Sequence, residues 1–268
     1  MRLCRVTHRP FRFGVVEGPA ASGAAWLAAA REVEAAGYDL LLLPDTRLTP
    51  SPFPALAAAA AVNTRLLVAP WVLAAPLRSA AVVVREAAAL QLLSGGRFEL
   101  GIGTGRPDAA TEAAALGMPW GSGRDRRGLL VATVEAVRTE VTPPPPVTIA
   151  ASGPLALRAA AIADTVALAL PPTARLDDVL RAIETVRREG ADPAFALQLS
   201  GVGGRLVPHL ERQGLTVEDL RDAPAVLRGD ADAMAEALQT LRERTGVSVF
   251  PVSATQAEAF APVMAALR

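Results

Sequence analysis

The sequence predicts a TIM-type (β/α)8 barrel, with residues 1–268 forming one domain. Three observations lead there. Short runs rich in Val, Ile, Leu and Phe alternate with longer segments of helical period, the pattern of parallel strands joined by crossover helices. Eight such runs occur, and eight βα units close more readily than they spread, because closure leaves no unpaired edge. Apolar residues make up 51% of the chain but aromatics only 4%, so Ala, Val and Leu must fill the interior, which suits close helix-on-sheet layers.

In chain order, the first strand is "RFGVV" from Arg12, followed by a helix over Ala21–Ala36. "YDLLLLP" from Tyr38 is the second strand. The Ala-rich "FPALAAAAAV" behind it has the best intrinsic helix propensity and can lie close to a sheet. "LLVAPWVL" from Leu66 is the third strand and Ser79–Leu93 the next helix, which Gly95 and Gly96 stop by taking conformations closed to other residues. "RFELGIG" from Arg97 is the fourth strand, with a helix over Arg124–Thr139. "TEVTPPPPVT" then makes a stiff connector at the strand-start end of the barrel, because the alternation resumes directly after it.

"VTIAAS" from Val147 and Pro154–Ala163 form the fifth unit, and "TVALAL" from Thr165 and Leu176–Glu189 the sixth. "FALQLSG" from Phe195 is the seventh strand. The long stretch "GVGGRLVPHLERQGLTVEDLRDAPAVLRGD" is read as a short helix with an ordered loop over the mouth or rim. "VSVFPVS" from Val247 and the helix Thr255–Leu267 close the count. The fourth and seventh connections are the least regular.

Composition narrows the function classes. Lys+Arg and Asp+Glu number 27 each, which leaves no net field for nucleic acid or an anionic membrane. No apolar stretch reaches the roughly 18 residues a bilayer span needs. The single cysteine, Cys4, cannot form an intrachain disulfide, and the segment after Met1 lacks the apolar core of a signal peptide, so a cytoplasmic location is expected. With only His8 and His209, no cysteine pair and no H-E-x-x-H, no metal site is expected. There is no G-x-S-x-G elbow and no P-loop lysine motif.

The chemistry-bearing candidates lie at the C-terminal strand ends, the face on which barrel enzymes build their sites. Gly101, Gly103 and Gly105 follow the fourth strand, where missing side chains leave room either for a flat ring or for close packing inside the barrel. "GIGTGR" is no dinucleotide fingerprint, because Arg106 stands where the third glycine belongs. After the fifth strand, Ser152, Gly153 and Pro154 could turn backbone N–H groups toward an anion, or Ser152 could simply cap the helix. Asp45 and Thr46 leave the second strand, where a carboxylate can be catalytic, orienting or a turn residue. Trp71 can back a ligand or fill the core. Arg78 can meet a phosphate or form an ion pair. Polar chemistry at the strand ends is so sparse that a cofactor would have to carry any reaction.

The blocks "FRFGVV", "AREVEAAGYDLLLLPD", "VVREAAALQLLSGGRFELGIGTG", "EAAALGMPWG" and "GPLALRAAAIADTVAL" resemble, in order, the bacterial luciferase-like superfamily of flavin monooxygenases and deazaflavin-dependent oxidoreductases. They cover the first two-thirds of the chain, and the Ser-Gly-Gly-Arg block with its Gly-rich strand is the restrictive part. The resemblance implies coenzyme F420, with FMN as the alternative, bound at the C-terminal face and exchanging hydride with a small organic substrate. It implies Asp45, Thr46 and Arg106 as catalytic candidates beside that ring. Val72, Leu73 and Ala74 would form a bulged wall, often with a non-proline cis peptide, behind it. Gly103, Thr104 and Gly105 would stand at the mouth, and Ser152 with Gly153 at the phosphate. It also implies a homodimer.

The chain departs from that pattern at several points. Thr46 stands in the position of a family histidine, which leaves the general acid unassigned. Arg106 replaces an acid found in some members, and would suit an anionic substrate or the acidic tail of F420. Ala74 and Ala75 replace polar residues, Ala150 and Ala151 replace glycines that approach the phosphate, and the insertion after the fourth strand is short. A competing reading is therefore a cofactor-less barrel that acts as a binding or scaffold protein. A third is an unrelated barrel enzyme with a phosphorylated substrate.

Overall fold

The computed structural model describes residues 9–106 and 108–268; Cys4, His8 and Pro107 lie outside them. The elements run β1 (Arg12–Val16), α1 (Gly23–Ala35), β2 (Leu40–Leu43), α2 (Pro52–Ala61), β3 (Leu67–Pro70), β4 (Leu73–Ala74), α3 (Ala80–Leu93) and β5 (Leu100–Gly103). Next come α4 (Ala109–Ala115), α5 (Gly123–Glu140), β6 (Val147–Ala151), α6 (Pro154–Ala159), β7 (Thr165–Leu168), α7 (Leu176–Arg187) and β8 (Ala194–Ala196). A hairpin of β9 (Gly201–Val202) and β10 (Arg205–Leu206), then α8 (Pro208–Arg212), α9 (Ala231–Thr245), β11 (Val247–Ser253) and α10 (Ala257–Leu267) complete the chain.

The strands form one parallel sheet in the order β3-β2-β1-β11-β8-β7-β6-β5-β4. β3 and β4 are the two halves of the third barrel strand, interrupted at a cis peptide between Trp71 and Val72. β4 pairs with β5, and Val68 of β3 bridges Phe98 just ahead of β5, so the ring of strands closes on itself. β11 lies in parallel register beside β1, from Arg12 opposite Val249 to Val16 opposite Ser253. The expected barrel is therefore observed.

Alternation along the strands sorts the side chains. Phe13, Val15, Leu41, Leu43, Leu100, Ile102, Val147, Ile149, Val166 and Phe195 face outward into the layer beneath the helices. The helices answer with apolar stripes. In α7, Val179, Ala182, Ile183 and Val186 are buried at helical spacing. Inside the barrel the residues are smaller: Ala167, Ala196 and Val249 pack with Ala150 beneath Trp71, and Leu40, Leu42 and Ala69 meet the same indole. At the strand-start end, Arg12 donates to Glu99 at 2.5 Å, which ties β1 to the segment just ahead of β5, two strands separated in the ring by β2 and β3–β4.

Three sequence expectations change. The third strand is broken where a continuous run is predicted. The stretch after β8 contains the β9–β10 hairpin as well as the short helix α8, with Gly203 and Gly204 both at positive φ in its turn. Ser152 does not cap α6: Gly153 holds the cap position at φ +73°, and no side chain caps the helix. Gly95 and Gly96, at φ +64° and +83°, end α3 as predicted.

Candidate functional site

A cleft of about 340 Å3 opens at the C-terminal ends of β2, β3–β4, β5 and β6. Pro44 and Asp45 line one side, Trp71, Val72, Leu73 and Ala74 a second, Gly103, Thr104, Gly105 and Arg106 a third, and Ala150, Ser152 and Ala169 the fourth. Most of the residues singled out from sequence thus meet at one place. Thr46 and Gly153 do not line the cleft. The Thr46 hydroxyl instead accepts from the Leu48 N–H at 3.2 Å and lies 3.2 Å from the Thr49 hydroxyl, closing the turn after β2.

The glycines of β5 answer to the bulged strand. A Cβ on Gly101 would stand 2.0 Å from the Pro70 carbonyl oxygen, and one on Gly103 would stand 3.1 Å from Val72 Cγ2. Gly105 has φ +85°, and a Cβ there would fall 2.6 Å from the Trp120 ring. The space beside the strand therefore belongs to Pro70, Val72 and Trp120, which is the close-packing reading of these glycines. What a ligand would meet is the Val72 side chain standing in front of them.

Electrostatics fix two corners of the cleft. Asp45, 8% exposed, accepts a bidentate pair from Arg78, with Nη2 donating to Oδ1 at 2.8 Å and Nη1 to Oδ2. The same Oδ2 accepts from the Ala74 N–H at 3.3 Å. Both carboxylate oxygens are thus engaged in holding the β2 loop to the start of the α3 segment, and Arg78 forms an ion pair. At the rim, Arg106 donates to Asp108 and Glu112, each at 3.1 Å, while its side chain remains 47% exposed. Glu17, next after β1 on the same face, has its carboxyl pKa raised, mainly by burial, with the Gly18 N–H opposing the rise and Glu32 adding to it.

Sequence reasoning named Trp71 but missed its partner at the floor, Gln198. Trp71 is both a packing residue and a wall: it crosses the barrel axis, and its Nε1 donates to Gln198 Oε1 at 2.9 Å. Gln198 lies two residues beyond the inward-facing Ala196, so the period of two in "FALQLSG" was the signal that could have found it. Beside Trp71 a cavity of about 100 Å3 shares Trp71, Val72, Ala150 and Ala169 with the cleft, and Leu168, Ala169 and Gln198 with a second chamber of about 310 Å3 at the ends of β7 and β8. Among the described residues no group of three or more His, Cys, Asp or Glu side chains could hold a metal ion, and no helix is long and apolar enough to cross a membrane.

Comparison with known proteins follows this geometry. A sequence family described as luciferase-like monooxygenase matches residues 9–202. No curated protein matches the chain. Among solved structures, the coenzyme F420-dependent tetrahydromethanopterin reductase from Methanopyrus kandleri superposes with a TM-score of 0.74 at 16% identity, covering 95% of this chain and 97% of that one. An F420-dependent secondary alcohol dehydrogenase in complex with an F420–acetone adduct gives 0.75 at 15% identity, covering 97% and 100%. The oxygenating constituent of 3,6-diketocamphane monooxygenase from the CAM plasmid of Pseudomonas putida, in complex with FMN, gives 0.69 at 17%, covering 96% and 95%. At such identities the likeness is one of fold.

Proposed function

The chain belongs to the luciferase-like monooxygenase family, and from that premise we propose that it is a flavin- or deazaflavin-dependent oxidoreductase that transfers hydride between a reduced cofactor and a small organic substrate. Coenzyme F420 is the cofactor we favour, with FMN as the alternative. The observation that carries the proposal is the cleft itself, which has a flat apolar wall of Trp71 and Val72, a small-residue side at Ala150 and Ala169, exposed polar groups at Arg106 and Ser152, and a buried carboxylate, Asp45, already paired with Arg78. Such a lining suits a planar ring whose charged end stays near solvent.

Each residue's part follows from its surroundings. Trp71, Val72 and Ala74 would back the ring and exclude water from one face. Thr104 and Ser152 would offer hydroxyls at the rim, and the exposed half of Arg106 would meet an anionic tail in competition with Asp108 and Glu112. Asp45, bound by Arg78, would hold the Ala74 N–H and the wall behind the ring, which makes it a positioning residue. When bound, F420 or FMN supplies the hydride chemistry that these side chains lack.

A binding barrel without redox chemistry is the second reading. It draws on one observation: the carboxylate that lines the cleft, Asp45, is fully engaged by Arg78. Fluorimetric titration of the purified protein with F420 and with FMN separates the two. Saturable uptake of one cofactor per chain is expected, with F420 the tighter. Failure of both to bind overturns the oxidoreductase reading.

A further inference from the structure

We propose that the chamber at the ends of β7 and β8 binds a small, uncharged, mostly apolar molecule bearing a carbonyl group, whose oxygen accepts from the side-chain amide of Gln198. This deepens the functional reading and rests on it only in taking the neighbouring cleft as the seat of the ring.

The argument begins at the Trp71–Gln198 hydrogen bond. An indole N–H can only donate, so it selects the oxygen of the Gln198 amide and fixes which way that amide faces. The amide nitrogen is left on the opposite side with two N–H donors and no hydrogen-bond partner among the described residues. Gln198 lines both the cavity beside Trp71 and the larger chamber, so the donors stand where the two spaces meet. A polar donor held in one orientation beside apolar walls favours a ligand that brings an acceptor to it.

The remaining lining limits what that ligand can be. Leu168, Leu170, Leu197, Leu199 and Val207 supply most of the wall, and no Asp, Glu, Lys or Arg side chain lines the chamber. His209 lines it too, and burial, with Arg212 beside it, lowers its pKa, so its imidazole is uncharged at neutral pH. A charged molecule would lose its hydration with no counter-charge in return. The cleft, by contrast, has Asp45 and Arg106 in its lining. Charge therefore divides the trough into an ionic arm and a neutral one, joined through Trp71 and Gln198.

Saturation-transfer NMR of the full chain with cyclohexanone as the probe, and with cyclohexanecarboxylate as its charged counterpart, tests this. Gln198→Leu keeps the volume and removes both donors, so cyclohexanone should bind about tenfold more weakly or worse. Trp71→Phe keeps a ring but frees the amide to turn, and should weaken it by a smaller factor. The carboxylate should bind wild type at least about tenfold more weakly than the ketone. Equal cyclohexanone binding by wild type and Gln198→Leu overturns the proposal, and so does weakened F420 or FMN binding with ketone binding unchanged. Should Gln198→Leu fail to fold, Trp71→Phe decides, with undiminished ketone binding as the overturning result. Wild type that binds the ketone through Gln198 yet takes up neither cofactor would remove the oxidoreductase reading while leaving the chamber assigned.

Discussion

Glu34 shows how much one side chain on α1 can organise. Its Oε1 accepts from the backbone N–H groups of Thr64, Arg65 and Leu66 at 3.0, 2.6 and 2.9 Å, which fastens the turn that launches β3. Burial pushes its pKa up, but the three N–H groups and the Arg65 charge pull it down further, so the net shift is downward. A lowered folded pKa means that the stabilisation is complete above the ordinary glutamate pKa and disappears as pH falls through the lowered value. Glu34→Gln should therefore cost about 1 kcal/mol at pH 7 and less at pH 3, read from urea melts at the two pH values. Asp45 is the more costly position. Asp45→Ala leaves the largely buried Arg78 guanidinium without its partner and should cost about 3 kcal/mol, whereas a solvated surface pair such as Arg188–Glu184 should cost under about 0.5 kcal/mol by the same melt.

At the scale of elements, the broken third strand governs its neighbours. Gly101 faces the Pro70 carbonyl so closely that a methyl group has nowhere to go, because backbone cannot swing aside as a side chain can. Gly101→Ala should cost about 3 kcal/mol or more and prevent β4 from pairing with β5. Gly103→Ala meets the Val72 methyl at 3.1 Å and the Ala150 carbonyl oxygen at 3.4 Å, both milder approaches, and should cost about 1 kcal/mol; equal effects of the two in thermal melts would contradict this. The glycine pattern was legible in the sequence, but its cause was not, since Pro70 and Val72 come from another strand and local spacing holds no record of that approach. Other elements carry local signals of their own. Gly203-Gly204 between two short β segments is a hairpin signature, and Asp230 with Gly246 brackets α9 as cap and stop.

For the whole molecule, closure is what turns scattered strand ends into one trough, and it was legible because eight alternating apolar runs specify a ring without naming any contact. The candidate site was legible where residues follow strands directly, as Asp45, Thr104, Arg106 and Ser152 do, and along the third strand from Trp71 to Ala74 through the resemblance. Trp71, Gln198 and Ala169 come together across the barrel axis, which only the closed ring brings about. The same closure makes ligand binding a property of global stability. A cofactor held by β2, β3–β4, β5 and β6 at once binds the closed ring and not the unfolded chain, so ligand at a hundredfold excess over its Kd should add about 2.7 kcal/mol to unfolding. Ala150→Phe puts a ring into the cleft from a half-buried position that packs with the small inward residues Ala167, Ala196 and Val249 and lies outside the layer under the helices. That variant should melt within a few degrees of wild type without ligand and lose the ligand-induced increase entirely. An Ala150→Phe protein that still gains stability from F420 or FMN would place the cofactor outside this cleft, and the roles given to Trp71, Val72 and Ser152 would fall together.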